Sequence, residues 1–136
     1  MSCEKWAMPV QKSLSTPFTV NARVSYVPEE SNPETNYYFF SYKISIKNNS
    51  SIPAQLMSRH WIITNGLGEI EEVRGAGVVG MQPKINPGQT FEYESVCPLS
   101  TSSGSMSGSY QMVSDDGTQF EITIPEFFLI SPSALH

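Results

Sequence analysis

Histidine and cysteine are scarce in this chain, which holds two of each: His60 and His136, Cys3 and Cys97. A preformed zinc centre needs three or four converging His, Cys or acidic ligands, so the residue inventory excludes one. The two thiols show no CxxC spacing and read as ordinary reduced cysteines. No apolar run approaches the roughly 18 residues of a membrane-spanning helix. The opening stretch MSCEKWAMPVQKSLSTP lacks the apolar core of a secretory signal. Without secretion, the sequons at Asn48 and Asn49 imply no glycan. Charge is sparse as well, at 15% Asp, Glu, Lys and Arg with a net charge of -5. Nucleic-acid binding rests on clustered Lys and Arg that neutralise phosphates, and this acidic balance excludes it. The expectation is a cytoplasmic protein with no cofactor, no metal site, no membrane contact and no nucleic-acid partner.

Helical periodicity is also missing. Nowhere do apolar residues recur at i, i+3, i+4 and i+7 over three turns without an intervening proline or glycine. Strict alternation is present instead. In FTVNARVSYV (18–27), Val20, Ala22, Val24 and Tyr26 share one face. In YYFFSYKISIKN (37–48), Tyr38, Phe40, Tyr42, Ile44 and Ile46 do the same. AQLMSRHWIIT, EIEEV, TFEYES, SGSYQMV and QFEITI read as further strands, and PEFFLISP as a last edge strand. Asn65-Gly66 and Asp116-Gly117 mark hairpin turns. With 136 residues, this pattern predicts one all-β domain over 18–136, preceded by a flexible tail at 1–17. Its architecture is an antiparallel β-sandwich of about seven or eight strands.

The glycines of RGAGVVGMQP, Gly75, Gly77 and Gly80, stand at the spacing of a phosphate-binding turn. A dinucleotide fingerprint requires a helix to open behind the third glycine and hold pyrophosphate at its N-terminus. Pro83 and Pro87 forbid that helix. Glu94 has the spacing of a ribose-binding acid but alternates within a strand. The Rossmann reading therefore fails, and two remain: a bend, or a loop that touches an anion or other ligand. Catalytic residues are equally hard to assemble. A Ser-His-acid triad could use only His60. GSMSG centres on Met106 rather than serine, so it is no nucleophile elbow. Glu29-Glu30, Glu71-Glu72 and Asp115-Asp116 are adjacent carboxylates, which on a strand face opposite sides. SRHWIIT puts Arg59 and Trp61 on one face and His60 on the other. Arg59 stacked on Trp61 would make either a packed sheet corner or an exposed recognition patch.

Six motifs in one order carry a resemblance: YYFFSYKISIKN, QLMSRHWIIT, GAGVVGMQP, INPGQTFEYES, PLSTSSGSMSGSYQM and IPEFFL. Over 18–136 the chain resembles ApaG proteins. The resemblance implies a fibronectin type III-like or immunoglobulin-like sandwich and no established reaction. It also implies an association with cobalt resistance and magnesium efflux, and an operon shared with diadenosine tetraphosphate hydrolase. Related domains in an F-box protein and a polymerase-interacting protein imply protein binding. The family's glycine motif, suggested to contact pyrophosphate, falls on Gly75, Gly77 and Gly80. Met81 and Ala76 replace acids frequent in relatives, which speaks against a carboxylate-held metal there. SYVPEESNPETNYYFF and CPLST look closer to eukaryotic relatives, which would allow an organelle. The leading expectation is a non-catalytic interaction module with an unknown protein partner or a second copy of itself, using Arg59, His60 and Trp61. The alternative is a small-ligand binder holding a nucleotide pyrophosphate or a divalent cation at Gly75, Gly77 and Gly80.

Overall fold

The alternating segments become eight strands in a computed structural model that describes residues 17–135. In chain order they are β1 (Phe18–Tyr26), β2 (Tyr38–Asn48), β3 (Ala54–Asn65), β4 (Ile70–Ala76), β5 (Lys84–Ile85), β6 (Thr90–Leu99), β7 (Ser103–Ser114) and β8 (Gln119–Ile130). The small sheet runs β1-β2-β6 and the large one β4-β3-β7-β8, with β5 also on β3. Every pairing is antiparallel. The sandwich of about seven or eight strands expected from alternation is therefore what forms. Among the described residues the helical pieces are short 3-10 turns, Pro28–Glu30, Pro33–Thr35 and Pro132–Leu135. Each opens on a proline, whose missing N–H costs nothing at a first helical position. The tail expected at 1–17 lies, apart from Pro17, outside the described residues, as do Cys3 and His136.

The two inner faces meet in one core. Phe40, Ile44 and Ile46 of β2 are fully buried, as are Leu56 of β3, Tyr110 of β7 and Leu129 of β8. Each such side chain contributes about 1.5–3 kcal/mol relative to exposure.

Two bulges interrupt the period. In β3 the register against β7 shifts between Leu56 and Ser58, leaving Met57 as the extra residue. Ala54 and Leu56 point inward before it, Trp61 after it. In β8 the register shifts where Ser107 of β7 opposes both Pro125 and Glu126, so the inward set passes from Ile122 and Ile124 to Leu129. Proline cannot donate to a ladder and sits at edges and bulges. PEFFLI is accordingly not a separate edge strand but the second half of β8, carried past Pro125.

Asn48 is a polar residue sealed in this core, at 0% exposure. Its Nδ2 donates to Ile52 O (3.0 Å) and Ile85 O (2.9 Å), and its Oδ1 accepts from Ser50 N (2.8 Å). It ties the β2–β3 turn to β5. Asn48→Ala leaves those buried groups without partners, which costs about 2 kcal/mol. The expected reading is a Tm lowered by roughly 8 °C in thermal unfolding. An unchanged Tm would mean that water replaces the amide.

Candidate binding site

The glycine segment is built against the bulge in β3. β4 pairs with β3 from Ser58 to Thr64, and β5 pairs with the same side at Ala54 and Gln55. Residues 77–83 are thus a detour inside one interrupted edge strand. Met57 O, displaced by the bulge, accepts from Gly77 N and from Gln82 Nε2, both at 2.9 Å. Leu56 N donates to Pro83 O at 2.9 Å and restarts the ladder. Between these anchors Val78 and Met81 exchange both backbone hydrogen bonds at 2.8 Å. Val79 (φ 41°) and Gly80 (φ 79°) form the two-residue turn, both in the left-handed region that such hairpins require. For a β-branched residue like Val79 that region is strained. Val78 plugs into the core at 1% exposure, while Val79 and Met81 stand out at 53% and 51%.

The three glycines therefore have three different places. Gly75 is not in the loop; it lies in β4 opposite Arg59. A Cβ there would stand 2.8 Å from Arg59 Nη1 and 2.9 Å from Nη2, so the missing side chain is the room that the guanidinium occupies. Gly77 turns the chain into the hairpin, and Gly80 closes its tip. The N–H groups of Gly77, Val78 and Met81 are spent within the hairpin or on Met57.

SRHWIIT separates into three environments. Arg59 Nη1 donates to Ala76 O (3.1 Å) and Gly77 O (2.9 Å), which clamps the hairpin to β3. Among the described residues no carboxylate lies within 4 Å of this guanidinium. Trp61 is not an exposed recognition residue: it is 3% exposed. Its ring packs edge-on against Tyr42 (5.5 Å), Phe127 (5.9 Å) and Tyr110 (6.4 Å). His60 faces outward, with Nε2 2.8 Å from Glu72 Oε1, while Arg74 Nη2 stands 3.4 Å from the same oxygen. The His60 hydrogen bond is the main reason the Glu72 carboxyl is held below its ordinary range. A depressed carboxylate stabilises above its unfolded pKa, and that contribution fades as pH falls through the lowered value.

Between the edges of the two sheets, β4 with its hairpin on one side and β6 on the other, the sandwich is open. Two adjoining hollows of about 290 and 310 Å³ share Tyr42, Arg59, Trp61 and Ser95 as lining. Tyr93 borders the first; Ile63, Glu71, Val73 and Cys97 border the second. The hydroxyls of Tyr93 and Tyr110 hydrogen-bond to each other in the interior. Burial pushes both phenols, and Tyr42, above their usual range, so they act as neutral hydrogen-bonding groups. Burial also lifts the Cys97 thiol to about 11, which leaves little thiolate for nucleophilic work. Ser109 lies across the ladder from His60, yet its Oγ donates to Glu121 at 3.2 Å, so no serine–imidazole hydrogen bond is formed there. Glu94 is exposed and opposite Lys43, away from the glycines. Among the described residues no three His, Cys, Asp or Glu side chains converge as a metal site. The sequence reading overlooked Tyr42, Tyr93 and Ser95 as neighbours of Arg59. Their inward parity was visible, but not which edge of the other sheet they would face.

These features define a fibronectin type III-like β-sandwich with a hydrogen-bonded hairpin set into one edge. The chain belongs to the ApaG family: the ApaG domain profile matches residues 28–114. It is 60% identical over 127 residues to Protein ApaG of Bdellovibrio bacteriovorus, covering 93% of this chain and all of that one. It is 58% identical over 111 residues to the Dechloromonas aromatica protein, covering 82% and 87%. The crystal structure of the Bordetella pertussis ApaA protein superposes with a TM-score of 0.79 at 50% identity, over 86% of this chain and 97% of that one. The C-terminal domain of wzt, at 8% identity and a TM-score of 0.54, shares the fold alone. Among the described residues no helix is long and apolar enough to cross a membrane.

Proposed function

We propose that this chain is a non-catalytic interaction module that receives an extended segment of a protein partner along the β4 edge. The observation that carries the reading is the exposure of large apolar side chains at both ends of that edge. Leu67 (76%) and Ile70 (65%) lie at one end, Val79 (53%) and Met81 (51%) at the other. β4 is the outermost strand of its sheet, so one side of its backbone offers unpaired N–H and C=O groups to an incoming strand. Apolar side chains exposed at both ends of such an edge give an incoming strand two anchors, with the charged Glu71, Glu72 and Arg74 between them. The buried Cys97 thiol, the neutral phenols and the engaged Ser109 support a binding role rather than catalysis.

The test is site-specific photocrosslinking in cells, with the photoreactive residue at Ile70 or Met81 and at Arg23 on β1 as control. A discrete adduct formed from both β4-edge positions, absent from the control and lost on Ile70→Asp, is the expected result. Crosslinks equally strong from Arg23, or adducts only with a second copy of the chain, would overturn the reading of this edge as a partner site.

A further inference from the structure

We propose that the cleft floored by Arg59 binds a small organic monocarboxylate, with the carboxylate on the guanidinium and a flat apolar body against the wall of the second hollow. The guanidinium carries five N–H donors in a planar fork that matches a carboxylate. Among the described residues only Nη1 is engaged, by the carbonyls of Ala76 and Gly77. Those two bonds fix the group without neutralising it, because carbonyls carry no net charge. Among the described residues no carboxylate is within 4 Å, so no ion pair ties up the guanidinium, and Glu71 is the carboxylate that shares its hollow. Gly75 is what admits it there, since a Cβ at that position would overlap Nη1 and Nη2.

The surroundings select the class of anion. Ser95, across the ladder from Tyr42, and Tyr93 add neutral polar groups beside the charge. Trp61, Ile63 and Val73 line the adjoining 310 Å³ hollow with apolar surface suited to a ring or a branched chain. Pockets for small molecules start at about this size, and here the apolar patch is bordered by polar groups of Arg59, Glu71 and Ser95. A single cation, with Glu71 bordering the same hollow, disfavours a polyanion: a pyrophosphate would bring several negative charges to one guanidinium and one carboxylate. The cleft opens beside the β4 edge, with Glu71, Val73 and Val79 among its lining, but its ligand is held by Arg59, so titration with a small carboxylate tests it apart from the edge reading.

The experiment titrates the full chain with phenylacetate, its neutral counterpart 2-phenylethanol, and inorganic pyrophosphate, followed by amide and indole resonances in two-dimensional NMR. The expected result is saturable, submillimolar to millimolar binding of phenylacetate, with shifts at Gly75, Gly77, Ser95 and the Trp61 indole. 2-Phenylethanol should bind at least tenfold more weakly. Arg59→Gln should lose binding. Gly75→Ala, which keeps the cation, serves as the second variant: its methyl meets only the end of a flexible side chain, so it should fold while displacing the guanidinium and weakening phenylacetate at least tenfold. Parent-like affinity in a folded Gly75→Ala would overturn the proposal. So would equal binding of 2-phenylethanol, preference for pyrophosphate, no saturable shift, or saturation only by an acidic peptide.

Discussion

Gly108→Ala is expected to cost about 4 kcal/mol, although it adds one methyl group. The ideal Cβ at this position would lie 2.0 Å from His60 O, 3.0 Å from His60 C and 3.2 Å from Trp61 Cα. All three are backbone atoms of the neighbouring strand, so no side chain can swing aside. β7 cannot retreat either, since β3 pairs along one side of it and β8 along the other. The methyl must push β3 away at the point where Gly108 opposes Trp61, loosening the packing of that ring. Overpacking costs about 1–3 kcal/mol, and a ladder hydrogen bond forced open in a buried setting adds about 1–3 kcal/mol. The sum predicts a Tm lower by roughly 15 °C. Gly117→Ala is the comparison: φ is +85°, yet nothing lies within 4 Å of its Cβ, so only the left-handed backbone is penalised, at about 1–2 kcal/mol. Urea unfolding of both variants checks the ranking. A Gly108→Ala protein as stable as Gly117→Ala would mean that the two strands slide apart at little cost.

The strands were legible because each satisfies a local rule, and the site was not because its contacts are long-range. Tyr42, Ile44 and Ile46 alternate with Lys43 and Ser45, and two-residue periodicity on that scale has one structural solution. Alternation alone does not report a bulge, so the faces of β3 on either side of Met57 could not be read as one series. In β8, Pro125 interrupts the alternation visibly, but it marks a register shift within one strand rather than a boundary between two. The glycine spacing was misleading in a specific way. It groups Gly75 with Gly77 and Gly80, whereas the fold gives Gly75 to a strand and to the guanidinium across from it. Arg59 meets carbonyls 17 and 18 residues away, a separation that no short motif encodes. Of the two readings of Arg59 and Trp61, the packed sheet corner is the one that holds for Trp61, whose ring the bulge places among Tyr42, Tyr110 and Phe127.

Gly77→Val carries the second large expected effect, and it discriminates among meanings of the glycine segment. Gly77 has φ +63°, and a Cβ would stand 2.1 Å from Met81 O and 2.9 Å from its carbon. The first feature strains any L-residue by about 1–2 kcal/mol, more for a β-branched one. The second is a clash with the carbonyl that accepts the Val78 N–H, so relieving it opens the hairpin. Two further contacts then move: Gly77 N to Met57 O, and Arg59 Nη1 to Gly77 O. Altogether the change should cost about 4 kcal/mol. It should also broaden or shift the Arg59 guanidinium resonances in NMR. Gly80→Ala has a similar φ of +79° but open space around its Cβ, so it should cost about 1–2 kcal/mol and leave Arg59 in place. If both variants lose the same stability, backbone strain alone accounts for the glycines. If Gly77→Val alone moves Arg59, the bulge, the hairpin and the guanidinium form one mechanical unit, and the glycines at 75 and 77 serve to hold a cation in the cleft.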